Sequence, residues 1–250
     1  MVALDFASET KARMLESVSG LGSSGWSTRV PATPEWDVLD VVAHLTGLGA
    51  DGATGTMPGD VNLLEQFRGP EVVAARDDYA EGQVLRRPGR SPVEVVAEWD
   101  SAEPMLLDRL GGGTTKPGAL PFGFDVVLVT GLCVHADDVA LALGLPPNRD
   151  TAASRVALAG YCFGVDYGVR ALDLPAMTLR YDGKERTLGE GPVAAVVTAD
   201  RWELLRMLAG RRSRAPIMHL DWTGDPEPHL ALVPAYGERE EALIENPATQ

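Results

Sequence analysis

Cysteine is scarce in this chain, and its scarcity is the first constraint on the chemistry. Two occur in 250 residues, Cys133 and Cys162, each inside an apolar helical pattern. Two are too few for a disulfide framework and read as buried free thiols in a reducing cytosol. Basic residues are also short: 22 lysines and arginines stand against 36 aspartates and glutamates, a formal charge of −14. Such a field repels nucleic-acid backbones and anionic membrane surfaces, and it directs attention to a small-molecule ligand. No apolar run approaches the length of a spanning helix, and no basic segment leads into an apolar run near residue 1, so neither a membrane span nor a signal peptide is expected. Gly-x-Ser-x-Gly, the phosphate-loop lysine and His-Glu-x-x-His are all missing. Gly-x-Gly-x-x-Gly occurs twice, at Gly20 and Gly47, but each follows a helical pattern. A dinucleotide site needs a strand there, with the helix N-terminus holding the pyrophosphate.

What the chain does have is helical periodicity through its first two thirds. Helices are expected over 5–19, from Asp37 into the glycines at 47, 49, 52 and 55, and over 61–67, 71–84, 91–110, 124–143 and 151–172. Asp37 and Ser91 stand as N-caps, and Glu94 completes a capping-box pattern with Ser91. After Pro175 the texture changes. Residues 177–181 alternate like a strand and Asp182-Gly183 signals a hairpin. Further strands are expected at 194–198, 219–222 and 229–233, a helix at 200–208, and a charged mobile tail from Gly237. The expected architecture is α+β: a helical domain over 1–170, then a small α+β domain over 171–250.

Two of the four histidines lie beside apolar helical stripes. His44 follows Val41 by three residues and shares a face with Asp40; His135 has Gly131 and Asp138 one turn to either side. A histidine at the edge of a bundle interior needs a partner, since an unpartnered imidazole is costly to bury. Read from spacing alone, each is equally a satisfied core residue.

The words around them are more specific. Pro34-Glu35-Trp36-Asp37-Val38-Leu39-Asp40-Val41-Val42-Ala43-His44 and His135-Ala136-Asp137-Asp138 running into Ala142-Leu143-Gly144-Leu145-Pro146 resemble the two helix signatures of the mycothiol-dependent maleylpyruvate isomerase family. The segment from Trp202 through Gly210-Arg211-Arg212 is similar to the helix and Gly-Arg of that family's C-terminal domain. The resemblance implies a DinB-like four-helix bundle followed by a small sterol-carrier-like α+β domain, in an actinobacterial cytosolic enzyme. It implies a divalent metal, usually zinc, on His44, His135 and a glutamate one turn before the second histidine. That metal would activate the thiol of mycothiol for attack on a small electrophile, giving isomerisation or S-transfer. It further implies a catalytic Arg211 binding an anionic substrate, with Arg212 beside it.

The chain departs from the pattern at the glutamate, where Gly131 stands. Asp138 is a substitute metal ligand or a substrate-binding residue, and Gly131 is either a close-packing glycine or room for a ligand against His135. Three readings follow: a metal-assisted mycothiol-dependent isomerase or transferase; a metal-free bundle enzyme of specialised metabolism with His44 or His135 as acid and base; and a non-catalytic small-molecule binding protein. Oligomeric state is left open.

Overall fold

A computed structural model describes residues 2–56, 70–111, 123–230, 232, 239 and 241–243. The expected helix at 61–67 and most of the expected mobile tail fall outside these. The chain divides into two compact units: Met1–Leu63, Arg76–Asn148 and Glu245–Gln250 form the first, Leu64–Ala75 and Arg149–Ile244 the second.

The first unit is a helical bundle built on α1 (Val2–Val18), α3 (Val38–Thr54), α5 (Pro92–Gly111) and α6 (Phe124–Ala142). α3 packs on α5 and on α6, and α1 packs on α6. A short helix α2 (Ser23–Trp26) and the antiparallel pair β1 (Arg29–Val30) and β2 (Thr33–Asp37) lead into α3; α4 (Pro70–Leu85) follows it. The helix starts follow local chemistry. Asp37 and Asp40 form a reciprocal capping box at α3, with both bonds at 3.0 Å. Ser91 and Glu94 do the same before α5. The core of this unit is apolar: Val41, Val42 and Leu45 from α3, Trp99 and Leu106 from α5, Leu128, Val129 and Leu132 from α6.

α3 runs into its glycines, as expected, continues through Gly47, Gly49 and Gly52 to Thr54, and ends on Gly55 in the left-handed conformation. The reason is packing. A Cβ on Gly47 would stand 2.7 Å from Gln83 of α4, and one on Gly52 would stand 2.8 Å from Leu106 of α5. These two glycines let neighbouring helices approach, and the burial gained offsets their poor helix propensity.

The second unit holds α7 (Ala152–Ala171), a sheet and two short helices, so α7 groups with the α+β part of the chain. Thr151 and Ser154 cap α7 reciprocally. The sheet order is β4 (Lys184–Leu188), β3 (Ala176–Tyr181), β5 (Val193–Thr198), β6 (Asp221–Gly224), with β3 and β5 parallel and the other pairs antiparallel. Asp182 and Gly183 both take positive φ (51° and 68°), as the β3–β4 hairpin turn requires. α8 (Arg201–Leu208), capped by Asp200, packs on α7, and α9 (Arg214–Met218) follows.

Two strand expectations need correction. The strand placed at 219–222 begins at Asp221, because His219 caps α9. His229 closes a 3-10 turn over Glu227–His229 instead of opening a strand. Pro226 and Pro228 hold φ in the turn region and remove two ladder donors there.

Candidate functional site

The first unit brings the two bundle histidines together. His44 projects from α3 and His135 from α6, and their rings meet edge to face with centroids 5.2 Å apart. Trp36, near the end of β2, also lies against His44, with ring centroids 5.1 Å apart and a 41° tilt. Its indole Nε1–H donates to Glu81 Oε2 of α4 at 2.8 Å. Trp36 is thus tethered to a further helix while it contacts His44.

Asp138 stands behind His135. Its Oδ2 lies 3.3 Å from His135 Nδ1, an ion-pair contact, and the carboxylate is fully buried while the imidazole is 14% exposed. The spacing i, i+3 makes this pairing a consequence of helix geometry. The pair stands at ion-pair distance without hydrogen-bond geometry, and the contact is an ion pair only when the imidazole is protonated. The neighbouring Asp137 serves the fold instead. Its Oδ1 accepts from the Asn148 backbone N–H at 2.7 Å, tying the end of α6 to the following loop. On α3, Asp40 lies one turn before His44, and burial raises its carboxyl above the usual range.

Gly131 lies one turn before His135, and a Cβ built there meets nothing within 4 Å. Unlike Gly47 and Gly52, it is not a close-packing glycine. Neither cysteine offers a reactive thiol at the surface: both are free and buried, and burial pushes the Cys162 thiol up to about 11. Arg211 and Arg212 belong to the second unit. Arg211 is buried and donates to the Ala209 carbonyl at 2.7 Å. Arg212 is paired through two nitrogens with Glu203 and lies over the Trp202 ring at 5.3 Å.

Sequence reasoning missed Glu81. The indole N–H is a hydrogen-bond donor only, but α4 offers Asp77, Asp78 and Glu81, and nothing in the pattern singles one out. Trp36 stood within the quoted motif, although its place against His44 appears only in three dimensions.

Residues 7–140, more than half of the chain, match the mycothiol maleylpyruvate isomerase N-terminal domain family. The chain belongs to this family. No curated protein matches it. Two solved structures share its fold, each with a TM-score of 0.55 over 89% of this chain and 92% of the other: a mycothiol-dependent maleylpyruvate isomerase at 13% identity and a histidine-to-alanine mutant of such an enzyme at 12%. Among the described residues no helix is long and apolar enough to cross a membrane.

Membership in the family raises the question of its metal. A catalytic zinc is ordinarily held by three protein ligands. Among the described residues there is no group of three or more His, Cys, Asp or Glu side chains able to hold a metal ion. His44 and His135 supply two imidazoles, Asp138 faces His135 itself, and the third position is Gly131. This donor set does not fit a zinc centre.

Proposed function

We propose that this protein is a mycothiol-dependent isomerase or S-transferase acting on a small electrophile in the cytosol, with its proton chemistry carried by His44 and His135. The observation that carries this reading is the edge-to-face meeting of the two imidazoles at 5.2 Å with the buried Asp138 carboxylate 3.3 Å behind one of them. Family membership supports the thiol; the geometry supports the base.

The steps follow from the groups present. His135, its Nδ1 turned to Asp138, takes the thiol proton on Nε2, and Asp138 stabilises the imidazolium that results. A thiolate beside an imidazolium is the arrangement that makes sulfur nucleophilic at neutral pH. The thiolate adds to an electrophilic carbon. In an isomerisation the adduct's former double bond, now single, rotates, and the thiolate leaves to restore the double bond. In an S-transfer the carbon–sulfur bond is kept, and the proton held by His135 returns to the adduct or to the leaving group. His44 contacts both His135 and Trp36, which restricts its ring beside the imidazole assigned the thiol proton. Trp36 and Glu81 set the orientation of His44.

The test is turnover of activated alkenes, including maleylpyruvate, by the full chain with and without mycothiol. Conversion that requires mycothiol and falls by about 100-fold or more in His135→Ala supports the reading. Conversion indifferent to the thiol contradicts it.

A further inference from the structure

His44, Gly47 and Asp51 follow one another on one face of α3, a turn apart. α4 meets that face. Its Gln83 sits over Gly47, where a Cβ would stand 2.7 Å from it. Asp51 Oδ2 then gathers three donors from α4 and the residue after it: the Tyr79 hydroxyl at 2.7 Å, Gln83 Nε2 at 3.2 Å and Arg86 Nη2 at 2.8 Å. Arg86 makes the contact an ion pair, and the Asp51 side chain is only 14% exposed. Burial, and then the bond to Asp51, raise the Tyr79 hydroxyl above its usual range, so it stays a donor.

Apolar burial adds little to this attachment. Among residues 77–85 of α4 only Gln83 is buried, and Leu85 is largely exposed. Where α4 passes the first turns of α3, a cavity of about 280 Å³ lies between Leu39, Asp40 and Ala43 on one side and Val84 and Leu85 on the other. A helix with few buried apolar contacts takes its place from its polar bonds. This same helix carries Glu81, which accepts from Trp36, and Trp36 contacts His44. Tyr79 and Gln83 stand two residues either side of Glu81, so the Asp51 clamp brackets the Trp36 acceptor.

Resting on the reading above, which sets His44 beside the imidazole that takes the thiol proton, we propose that Asp51 is a positioning residue for His44, acting through α4. Asp51 fixes α4 against α3. That puts Glu81 where the Trp36 indole reaches it, and Trp36 restricts the His44 ring. The action is indirect, because seven residues, about 10 Å of helix rise, separate Asp51 from His44.

The experiment uses the full-length protein and needs no substrate to begin. The ring current of Trp36 acts on the His44 ring protons, so their NMR resonances report the contact. Asp51→Ala is expected to move these resonances in the same direction as Glu81→Ala does, with His229 in the second unit unmoved as internal reference. A double-mutant cycle tests the route: adding Asp51→Ala to Glu81→Ala is expected to shift His44 no further. Fully additive shifts would overturn the proposal, as would an Asp51→Ala protein that loses stability while His44 stays in place. Should Asp51→Ala not fold, Asp51→Asn keeps an acceptor and loses the charge, and a smaller shift in the same direction is expected; no shift would contradict the role. Thr56→Val removes the 3.4 Å bond from the Thr56 hydroxyl to Asp51 Oδ1 and is expected to leave His44 unmoved; a shift equal to that of Asp51→Ala would make the effect local to the end of α3 and overturn the route through α4. With mycothiol and an activated alkene, Asp51→Ala is expected to raise KM a few-fold per folded molecule with kcat nearly unchanged, and an unchanged KM would contradict the proposal. If no alkene is turned over, the mycothiol reading fails, and the NMR cycle still decides whether Asp51 positions His44.

Discussion

The molecule holds histidines in two kinds of surroundings, and the contrast separates structure from chemistry. In the second unit His229 is fully buried, and its Nε2–H donates to the Pro175 carbonyl at 2.7 Å. That bond joins a 3-10 turn to the chain just before β3, and the opposite nitrogen, Nδ1, has no hydrogen-bond partner among the described residues. A backbone carbonyl can only accept, so Nε2 carries the proton of this bond. In the first unit His135 is partly exposed, faces a buried carboxylate, and touches a second imidazole. His229 is held by a backbone carbonyl, whereas His135 stands against a carboxylate and a second imidazole. Burial of a histidine therefore says little about function. What its two nitrogens face says more.

The largest expected effect tests the bundle side of this comparison. His135→Ala is expected to lower mycothiol-dependent turnover per folded molecule by about 10²–10⁴-fold, measured by steady-state kinetics, and, because it takes the imidazole away from the buried Asp138 carboxylate, to cost about 1–3 kcal/mol in urea unfolding as well. Asp138→Asn follows from the same geometry. It keeps the shape but removes the charge that supports imidazolium, and a loss of about tenfold or more in kcat with little change in KM is expected.

On the other side of the comparison only stability is expected to fall. His229→Ala strands the Pro175 carbonyl in a buried setting and is expected to cost about 1–3 kcal/mol in urea unfolding. Turnover per folded molecule should be unchanged. A His229 variant whose turnover per folded molecule fell along with its stability would break the distinction.

Asp166 sharpens the contrast further by assigning acid sensitivity to the second unit. Its Oδ1 accepts from the Gly189 N–H at 2.7 Å and its Oδ2 from Arg170 Nε at 2.9 Å. Burial pushes its carboxyl up, but these hydrogen bonds and the arginine charge outweigh burial and hold it below the usual value of 3.8. A depressed carboxyl contributes stability that is fully present above the unfolded value and is lost as pH falls through the folded one. Asp166→Asn is expected to cost about 1 kcal/mol near neutral pH, with the difference from wild type shrinking in acid below 3.8. Equal destabilisation at every pH would contradict this account. The smallest effect belongs to Trp36→Phe, which keeps a ring against His44 but removes the bond to Glu81; an increase of a few-fold in KM is expected with kcat nearly unchanged.

These contrasts also show where the sequence was readable. Caps and turns were, because their chemistry is local: Asp37 with Asp40, Ser91 with Glu94 and the Asp182-Gly183 hairpin all act within four residues. The reason α3 tolerates its glycines was not, because Gly47 and Gly52 show their packing role only when Gln83, Leu106 and Phe124 are seen against them. The turn at His229 was misread for a related reason, as two prolines outweighed a short apolar alternation. At the site, His44, His135 and Asp138 were legible through motif words and helical spacing. The convergence of the two histidines was expected from the family resemblance and not from spacing, since it depends on α3 packing against α6. Glu81 stayed hidden because its partner lies 45 residues away. Gly131 was legible as a departure, and the structure decides its character by showing open space instead of contact.

The central claim is that a thiol is deprotonated beside His135, and the ultraviolet absorbance of thiolate reports this directly. Titrating mycothiol into the full-length protein at neutral pH is expected to produce a saturable thiolate signal, retained when zinc is chelated and abolished in His135→Ala. Binding of mycothiol with no thiolate signal, or a signal untouched by His135→Ala, would contradict the account.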